Sequence, residues 1–347
     1  MPTIGEDGST VMIEIEFIPV GEETNTGDAL LCHFTQPGTT TERVVVIDGG
    51  FVTTSDAIVS HIEQYYGTSR VDLMVCTHPD ADHINGLTGV IEALDVMTLV
   101  IHRPSEHGYT SDDVAASAVN DLIKVAENNG TQVITDAYAG STFFDAITIL
   151  GPTKAFYLEQ LEAQMKKTGV RAAAGRVLGG LLEAMSKALR SRTTDPGEGD
   201  FTDNGGTTPR NNSSIVLDVQ VEGYRAILTG DAGVPALIAA DDTASSLGVN
   251  GSYPDFFDVP HHGSRHNLNT DTANRLLGPI GGQQTGTAFV SVGKKAEDFP
   301  RSEVANALKR RGYSVSPTRG QTIRWSRNAP ARLGWVTLTP LGWLEVD

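Results

Sequence analysis

The segment Thr77-His78-Pro79-Asp80-Ala81-Asp82-His83 constrains this chain more than any other, because it sets two imidazoles and two carboxylates within six positions. It follows the apolar run Val71 to Cys76 and precedes a helical pattern from Asn85 to Leu94. A tight loop after a strand can turn alternate side chains into one pocket, and imidazole nitrogens and carboxylate oxygens both bind divalent metals. Burying those carboxylates without a cation would be costly. The plainer reading is a polar capping loop, in which Asp82 or Asn85 caps the following helix and His78 merely packs.

Around this segment the pattern is mixed. Met12 to Val20 alternates apolar and polar residues, and Ala29 to Phe34 and Arg43 to Ile47 are further strands, so the chain opens as a β-meander. After Asp48-Gly49-Gly50 come a helix (Ser55 to Tyr66), the strand Val71 to Cys76, a helix, a strand (Met97 to Ile101) and a helix (Asp112 to Asn128). The strands Gln132 to Ile134 and Ala146 to Leu150 complete a first half. The pattern repeats from Ser214 to Val221 and Tyr224 to Leu228, with helices at Asp271 to Leu277 and Arg301 to Arg311 and a strand at Thr287 to Val292. Two such halves predict an α/β fold, a four-layer α-β-β-α sandwich formed by a single domain over residues 1–347.

Residues 155–210 interrupt this pattern and read as an insertion: a helical stretch broken near Gly169 and Gly179, then a Gly/Asp/Thr/Pro run with the composition of a flexible loop. Lys154 to Arg192 carries eight basic and three acidic residues, a local +5 within a chain of formal charge -17. That overall charge disfavours generic coating of nucleic acid but leaves room for a focused basic pocket. A solvated helical face is the plain account of the +5; a lid over an anionic substrate is the sharper one. Two cysteines, a polar N-terminus without an apolar core and the lack of a membrane-length apolar run predict a cytoplasmic protein with no membrane contact.

The cluster resembles the His-x-His-x-Asp-His signature of the metallo-β-lactamase superfamily, in the variant whose second His is Asp. The longer string His78 to Leu87 is similar to the hydrolase domain of the bacterial competence channel protein ComEC and its soluble relatives. Three further motifs match in order: Asn211-Asn212-Ser213-Ser214-Ile215-Val216-Leu217, Leu228-Thr229-Gly230-Asp231 and Val259-Pro260-His261-His262-Gly263-Ser264. Asp48-Gly49-Gly50 matches the early turn. The resemblance spans roughly residues 12 to 325, apart from the insertion.

The resemblance implies two divalent metal ions, with Asp82 and His83 serving one, His78 and Asp80 the other, Asp231 bridging them and a hydroxide between. Asp231 alone reads equally as a helix N-cap. His261 and His262, taken as an extended strand end, would point to opposite faces, so one is expected at the site; His261 is favoured as ligand, with the other orienting substrate, donating a proton or simply packing. Asp82, His261 and His262 are the candidate catalytic residues. Asp48 is expected to orient the metal loop without touching metal. Ser264, Arg265, Lys294 and Asn211 are candidate substrate-binding residues.

Asp80 in place of His makes the ligand set richer in oxygen, favouring Mn²⁺, with Zn²⁺ as substitute. Relative to the competence family, Ser291-Val292-Gly293 is followed by Phe299-Pro300 rather than by a His-Pro pair. The expected activity is that of a phosphodiesterase or nuclease acting on an anionic small molecule, a nucleotide or a short nucleic acid. Hydrolysis of a lactone, thioester or amide is the rival activity. A non-catalytic interaction module, with a homo-oligomer or an operon-encoded protein as partner, is the alternative of another class.

Overall fold

The computed structural model describes residues 11–174, 206–335 and 337–345. The first sheet contains β1 (Ile13–Phe17), β2 (Leu30–Thr35), β3 (Glu42–Ile47), β5 (Leu73–Val75), β7 (Thr98–Val100), β8 (Gln132–Ile134) and β16 (Ile323–Arg327). A short pair, β4 (Arg70–Val71) and β6 (Asp95–Val96), lies beside it. The second contains β9 (Thr142–Phe143), β10 (Ile147–Gly151), β11 (Val216–Val221), β12 (Tyr224–Leu228), β13 (Phe256–Asp258), β14 (Gly286–Val290) and β15 (Tyr313–Pro317). Their orders are β16-β1-β2-β3-β5-β7-β8 and β15-β14-β13-β12-β11-β10-β9.

Period-two patterning explains the layers. Ile13, Ile15 and Phe17 of β1 meet Leu217, Val219 and Leu228 of the opposite sheet in one apolar cluster, where Phe17, Phe256 and Phe289 pack edge to face at 5.1–5.9 Å. The alternate residues Val44, Val46 and Met74 face outward under α1 (Ser55–His61), α2 (Ala81–Ile84), α3 (Leu87–Ala93) and α4 (Ala116–Asn128). Ile227, Phe257 and Ala288 do the same for the second sheet, whose outer face also carries α7 (Val234–Leu247), α8 (Thr270–Leu277) and α9 (Ser302–Arg310). The α-β-β-α sandwich is therefore present. Between the halves lie α5 (Lys154–Ala174) and the single turn α6 (Pro209–Asn212).

Several boundaries differ from the sequence reading. Val71 to Cys76 is not one strand: Val71 belongs to β4, paired with β6, and Leu73–Val75 forms β5. The strand at Ala146 to Leu150 belongs to the second sheet rather than to the first, because β10 pairs with β9 and β11. The last strand returns to the first sheet, where β16 pairs with β1 in antiparallel register. Gly169 does not interrupt α5, which runs on to Ala174; Gly179 and the expected flexible loop lie outside the described residues.

The outward residues of β1 are Glu14 and Glu16, both buried. Glu14 pairs with His33 (2.9 Å) and Arg324, and Glu16 with His61 (3.0 Å), the Tyr66 hydroxyl and Arg332. Arg332 also donates to Glu14 at 3.1 Å and stacks over Tyr65 and Trp335, with 4.4 Å and 4.9 Å to the ring centroids. One guanidinium thus ties the C-terminal segment to both carboxylates. Burial disfavours charge on Glu16, but His61 and Arg332 outweigh it and hold its carboxyl below the usual range.

Removing Arg332 would leave buried carboxylates without their partner. Arg332→Ala is expected to lower unfolding free energy by about 3–5 kcal/mol at pH 7 in urea titration. Because the Glu16 pKa is depressed, its stabilisation is present above the unfolded carboxylate value near ~4.3 and is lost as pH falls through the folded value. The deficit of the variant should therefore shrink in acid; an equal deficit at pH 7 and pH 3 would contradict this account.

Candidate metal centre

Loops at one edge of the sandwich build the site. His78 to His83 follow β5, Asp48 follows β3, Asp28 precedes the antiparallel β2, Asp231 follows β12, and His261 and His262 follow β13. Backbone contacts lock these loops together. Gly49 N donates to His83 O (2.7 Å), Gly86 N to Gly50 O (3.0 Å) and Asp28 N to Asp82 O (3.1 Å). A Cβ at Gly86 would lie 1.9 Å from Gly49 O, so only glycine permits that approach. Across the two sheets Ile215 N donates to Thr77 O (3.0 Å); within the second, His261 N donates to Gly230 O (3.1 Å).

The side chains form two groups that share Asp231. His78 Nε2 and His261 Nε2 lie 3.7 and 3.6 Å from Asp231 Oδ2, and Asp80 Oδ2 lies 3.7 Å from His78 Nε2. On the other side His83 Nε2 is 3.5 Å from Asp231 Oδ1, and His262 Nε2 is 3.8 Å from Asp82 Oδ2. Ligand atoms about 2.1 Å from a tetrahedral ion stand roughly 3.4 Å apart, close to these separations. His78 Nε2, His83 Nε2, His262 Nε2 and Asp231 Oδ1 are buried without a hydrogen-bond partner. Polar atoms orphaned around one space are what a cation would satisfy, and Asp82, His83 and His262 lie close enough to share one. The residues present fit divalent metal.

Neighbours fix which ring nitrogen faces that space. His83 Nδ1 meets Asp48 Oδ2 at 2.8 Å, and Asp48 also accepts from Thr77 N (2.8 Å) and Thr77 Oγ1 (2.6 Å). His78 Nδ1 lies 3.1 Å from Thr77 Oγ1 and 3.3 Å from Ser214 Oγ. Asn267 Nδ2 donates to the carbonyls of Asp231 (2.9 Å) and Ala232 (3.2 Å), so its Oδ1 accepts from His261 Nδ1 at 3.0 Å. Each Nδ1 thus carries the proton, and each Nε2 presents its lone pair to the centre.

Adjacent His261 and His262 do not diverge as an extended strand end would. They occupy a 3₁₀ turn with φ of 49° and 57°, which brings both imidazoles to the site, His261 against Asp231 and His262 against Asp82. Pro300 supports this turn: a Cβ at Gly263 would sit 2.4 Å from Pro300 Cβ, and Arg301 N donates to Gly263 O. The Phe299-Pro300 departure therefore buttresses the His pair.

The expected substrate contacts are scattered. Asn211 Nδ2 donates to Asp231 Oδ2 at 3.1 Å and is part of the site. Ser264 is buried and accepts from His266 N, whereas Arg265 is half-buried. Lys294 is exposed, and its side-chain stem packs on Gly320. Three residues escaped the sequence reading. Asp28 Oδ1 lies 3.6 Å from His262 Nδ1, Asn267 orients His261, and Asp258 accepts from Thr229 N (2.9 Å) and Gly230 N (3.2 Å), holding the turn that presents Asp231. A lone carboxylate at the mouth of an apolar strand, as in Gly27-Asp28-Ala29-Leu30, was the available signal.

A sequence model described as the metallo-beta-lactamase superfamily matches residues 38–278, from before β3 to the end of α8. The chain belongs to the metallo-β-lactamase superfamily. Among solved structures it is similar to a putative metallo-β-lactamase of Thermotoga maritima, with 10% identity, TM-score 0.36, and coverage of 71% of this chain and 94% of the other. The hydrolase AbOPH gives 11%, 0.32, 71% and 72%, and a variant of the CmlA β-hydroxylase 10%, 0.43, 91% and 53%, in the same order. No curated protein matches.

Superfamily members typically bind divalent metals, and the electrostatics of this centre agree with that habit. Burial disfavours charge on His83, but Asp231 and Asp48 outweigh it and hold the imidazole well above its usual range; for His262, Asp28 and Asp82 outweigh burial and lift it to about 9. Burial raises Asp231, yet His261 and His83 pull it well below the carboxylate range. Without metal, protons on His83 and His262 offset the carboxylates. Metal uptake must displace them, so affinity should rise with pH up to about 9. Calorimetry of Mn²⁺ binding at pH 7 in buffers of different ionisation enthalpy should report release of about one to two protons; binding without proton release would contradict the assignment.

Proposed function

We propose that the chain is a divalent-metal-dependent phosphodiesterase acting on a nucleotide or short nucleic acid, with Mn²⁺ as its metal and Zn²⁺ as a substitute. The observation that carries this reading is Asp231, whose two oxygens face separate clusters. His78, Asp80, His261 and Asp231 Oδ2 would hold one ion, and Asp82, His83, His262 and Asp231 Oδ1 the other. Such a pair lowers the pKa of bound water and neutralises charge on the attacked phosphoryl group.

The chain's own groups do the rest. Asp48 keeps the His83 proton on Nδ1 and Asn267 does so for His261, so these rings enter the reaction with their lone pairs already aimed. His261 has 34% of its side chain exposed, against 5% for His262, so its side of the centre is the one open to an approaching substrate. Buried His262 is suited to fixing geometry. Asp80 adds oxygen and negative charge, which favours a hard ion and phosphoryl chemistry over a nitrogen-rich zinc site. The motifs similar to the ComEC hydrolase domain support a nucleic-acid-derived substrate. Among the described residues no helix is long and apolar enough to cross a membrane.

Protein purified without chelator should contain about two equivalents of transition metal by elemental analysis. With Mn²⁺ it should hydrolyse at least one of bis-p-nitrophenyl phosphate, single-stranded DNA and a cyclic dinucleotide, and Asp82→Ala or Asp231→Ala should lower kcat by about 100-fold or more. Turnover of lactones or thioesters but no phosphodiester would replace this reading with carbonyl hydrolysis. Less than half an equivalent of metal, with no turnover, would favour a non-catalytic module.

A further inference from the structure

Arg210 is the last residue of the segment read as an insertion, and it stands at the metal centre. It lies on α6, where Thr208 Oγ1 accepts from Asn211 N at 3.0 Å and so fixes the turn. Its Nε pairs with Asp80 Oδ1, the oxygen opposite the one that faces His78. Arg210 borders a narrow crevice of about 10 Å³ with Pro79, Pro104, Tyr157 and Leu161. Among the described residues Asp80 is the one carboxylate that pairs with this guanidinium, and 31% of the side chain is exposed. Next along the chain, Asn211 donates to Asp231 Oδ2 and lies 3.5 Å from His261 Nδ1.

The charge balance gives this placement a use. Two divalent ions would bring four positive charges against the carboxylates Asp28, Asp48, Asp80, Asp82 and Asp231, in a chain of formal charge -17, so a fixed cation beside them adds to the hold on an anion. Histidines that ligate metal are neutral. Among the described residues, Arg210 is the arginine or lysine that pairs with a carboxylate of this centre. A guanidinium held by one edge keeps its remaining N–H groups available for two oxygens of a phosphate.

We propose that Arg210 is the anion-gripping residue of the centre: held against Asp80, it takes the non-bridging oxygens of a phosphodiester and sets selectivity for phosphate over neutral carbonyl substrates. This rests on the phosphodiesterase reading for its substrate, but it can be tested apart from it. With Mn²⁺-loaded full-length protein, inorganic phosphate is the binding probe and bis-p-nitrophenyl phosphate the kinetic one. Arg210→Ala should raise the phosphate Kd and the diester KM by about 10- to 100-fold, as expected for a lost charge-assisted hydrogen bond, with a smaller change in kcat. Arg210→Lys should recover part of the loss, and manganese content and thermal midpoint should match wild type.

A phosphate Kd within twofold of wild type overturns the proposal. So does a wild type that binds no phosphate, or an Arg210→Ala protein that loses manganese or its fold, since Arg210 would then be a structural partner of Asp80. If wild type binds phosphate through Arg210 yet hydrolyses no diester, the catalytic reading fails and the anion site stands. If diester turnover is present and indifferent to Arg210, the reverse holds.

Discussion

The two oxygens of Asp231 are the constraint on which the centre depends. A carboxylate that is 3% exposed, whose Oδ1 lacks a hydrogen-bond partner, is expensive to bury, and the surrounding structure is arranged to make that burial tolerable. Asp258 takes up the backbone N–H groups of Thr229 and Gly230, Ser214 Oγ accepts from Asp231 N, and Gly230 adopts φ of +50° so that the turn closes against Thr77. These contacts fix where the carboxylate points before any cation arrives. Preorganisation of this kind moves the cost of gathering like charges from the binding step to folding, where the sandwich core meets it.

The sandwich can meet it because the loops involved are short and mutually fastened. Thr77 to Gly86 are clasped by Gly49, Gly50 and Asp28 on one side and by Ile215 on the other, so strand ends from both sheets share backbone hydrogen bonds. Parallel pairing of β3 with β5, and of β12 with β13, puts the ends of these strands at one edge. The ligands can then come from positions remote in sequence and still converge. The Glu14–Glu16–Arg332 network lies on the outer face of β1, where it fastens the C-terminal segment after β16 has rejoined the first sheet.

What was legible in the sequence was local. The His78 to His83 cluster could be read because its ligands are close along the chain and because an apolar strand before a helical pattern has few other uses. The layers followed from period-two alternation, as in Ile13, Ile15 and Phe17. Asp28 showed in the sequence only as a lone carboxylate before an apolar strand, since its value lies in meeting His262, a contact that exists only after the two sheets close. Asn267 was hidden for the same reason. The His pair was misjudged because alternation was assumed where the backbone turns, and left-handed φ at both residues cannot be inferred from Pro-His-His-Gly alone. The placement of β10 and β16 depended on partners far along the chain, which hydrophobic period does not encode.

Asp80 joins these strands of argument. A His at that position would donate nitrogen to metal but could not hold a guanidinium; a carboxylate can face His78 with one oxygen and Arg210 with the other. The substitution that makes the centre harder and more negative therefore also provides the anchor for the cation that offsets it. Desolvation pushes the Asp80 carboxyl up, but His78 and Arg210 outweigh it and keep it below the usual range, so it stays an anion. On this account the first carboxylate of the cluster and the arginine that ends the insertion are a matched pair, and exchanging Asp80 for His would change both the preferred metal and the grip on an anion.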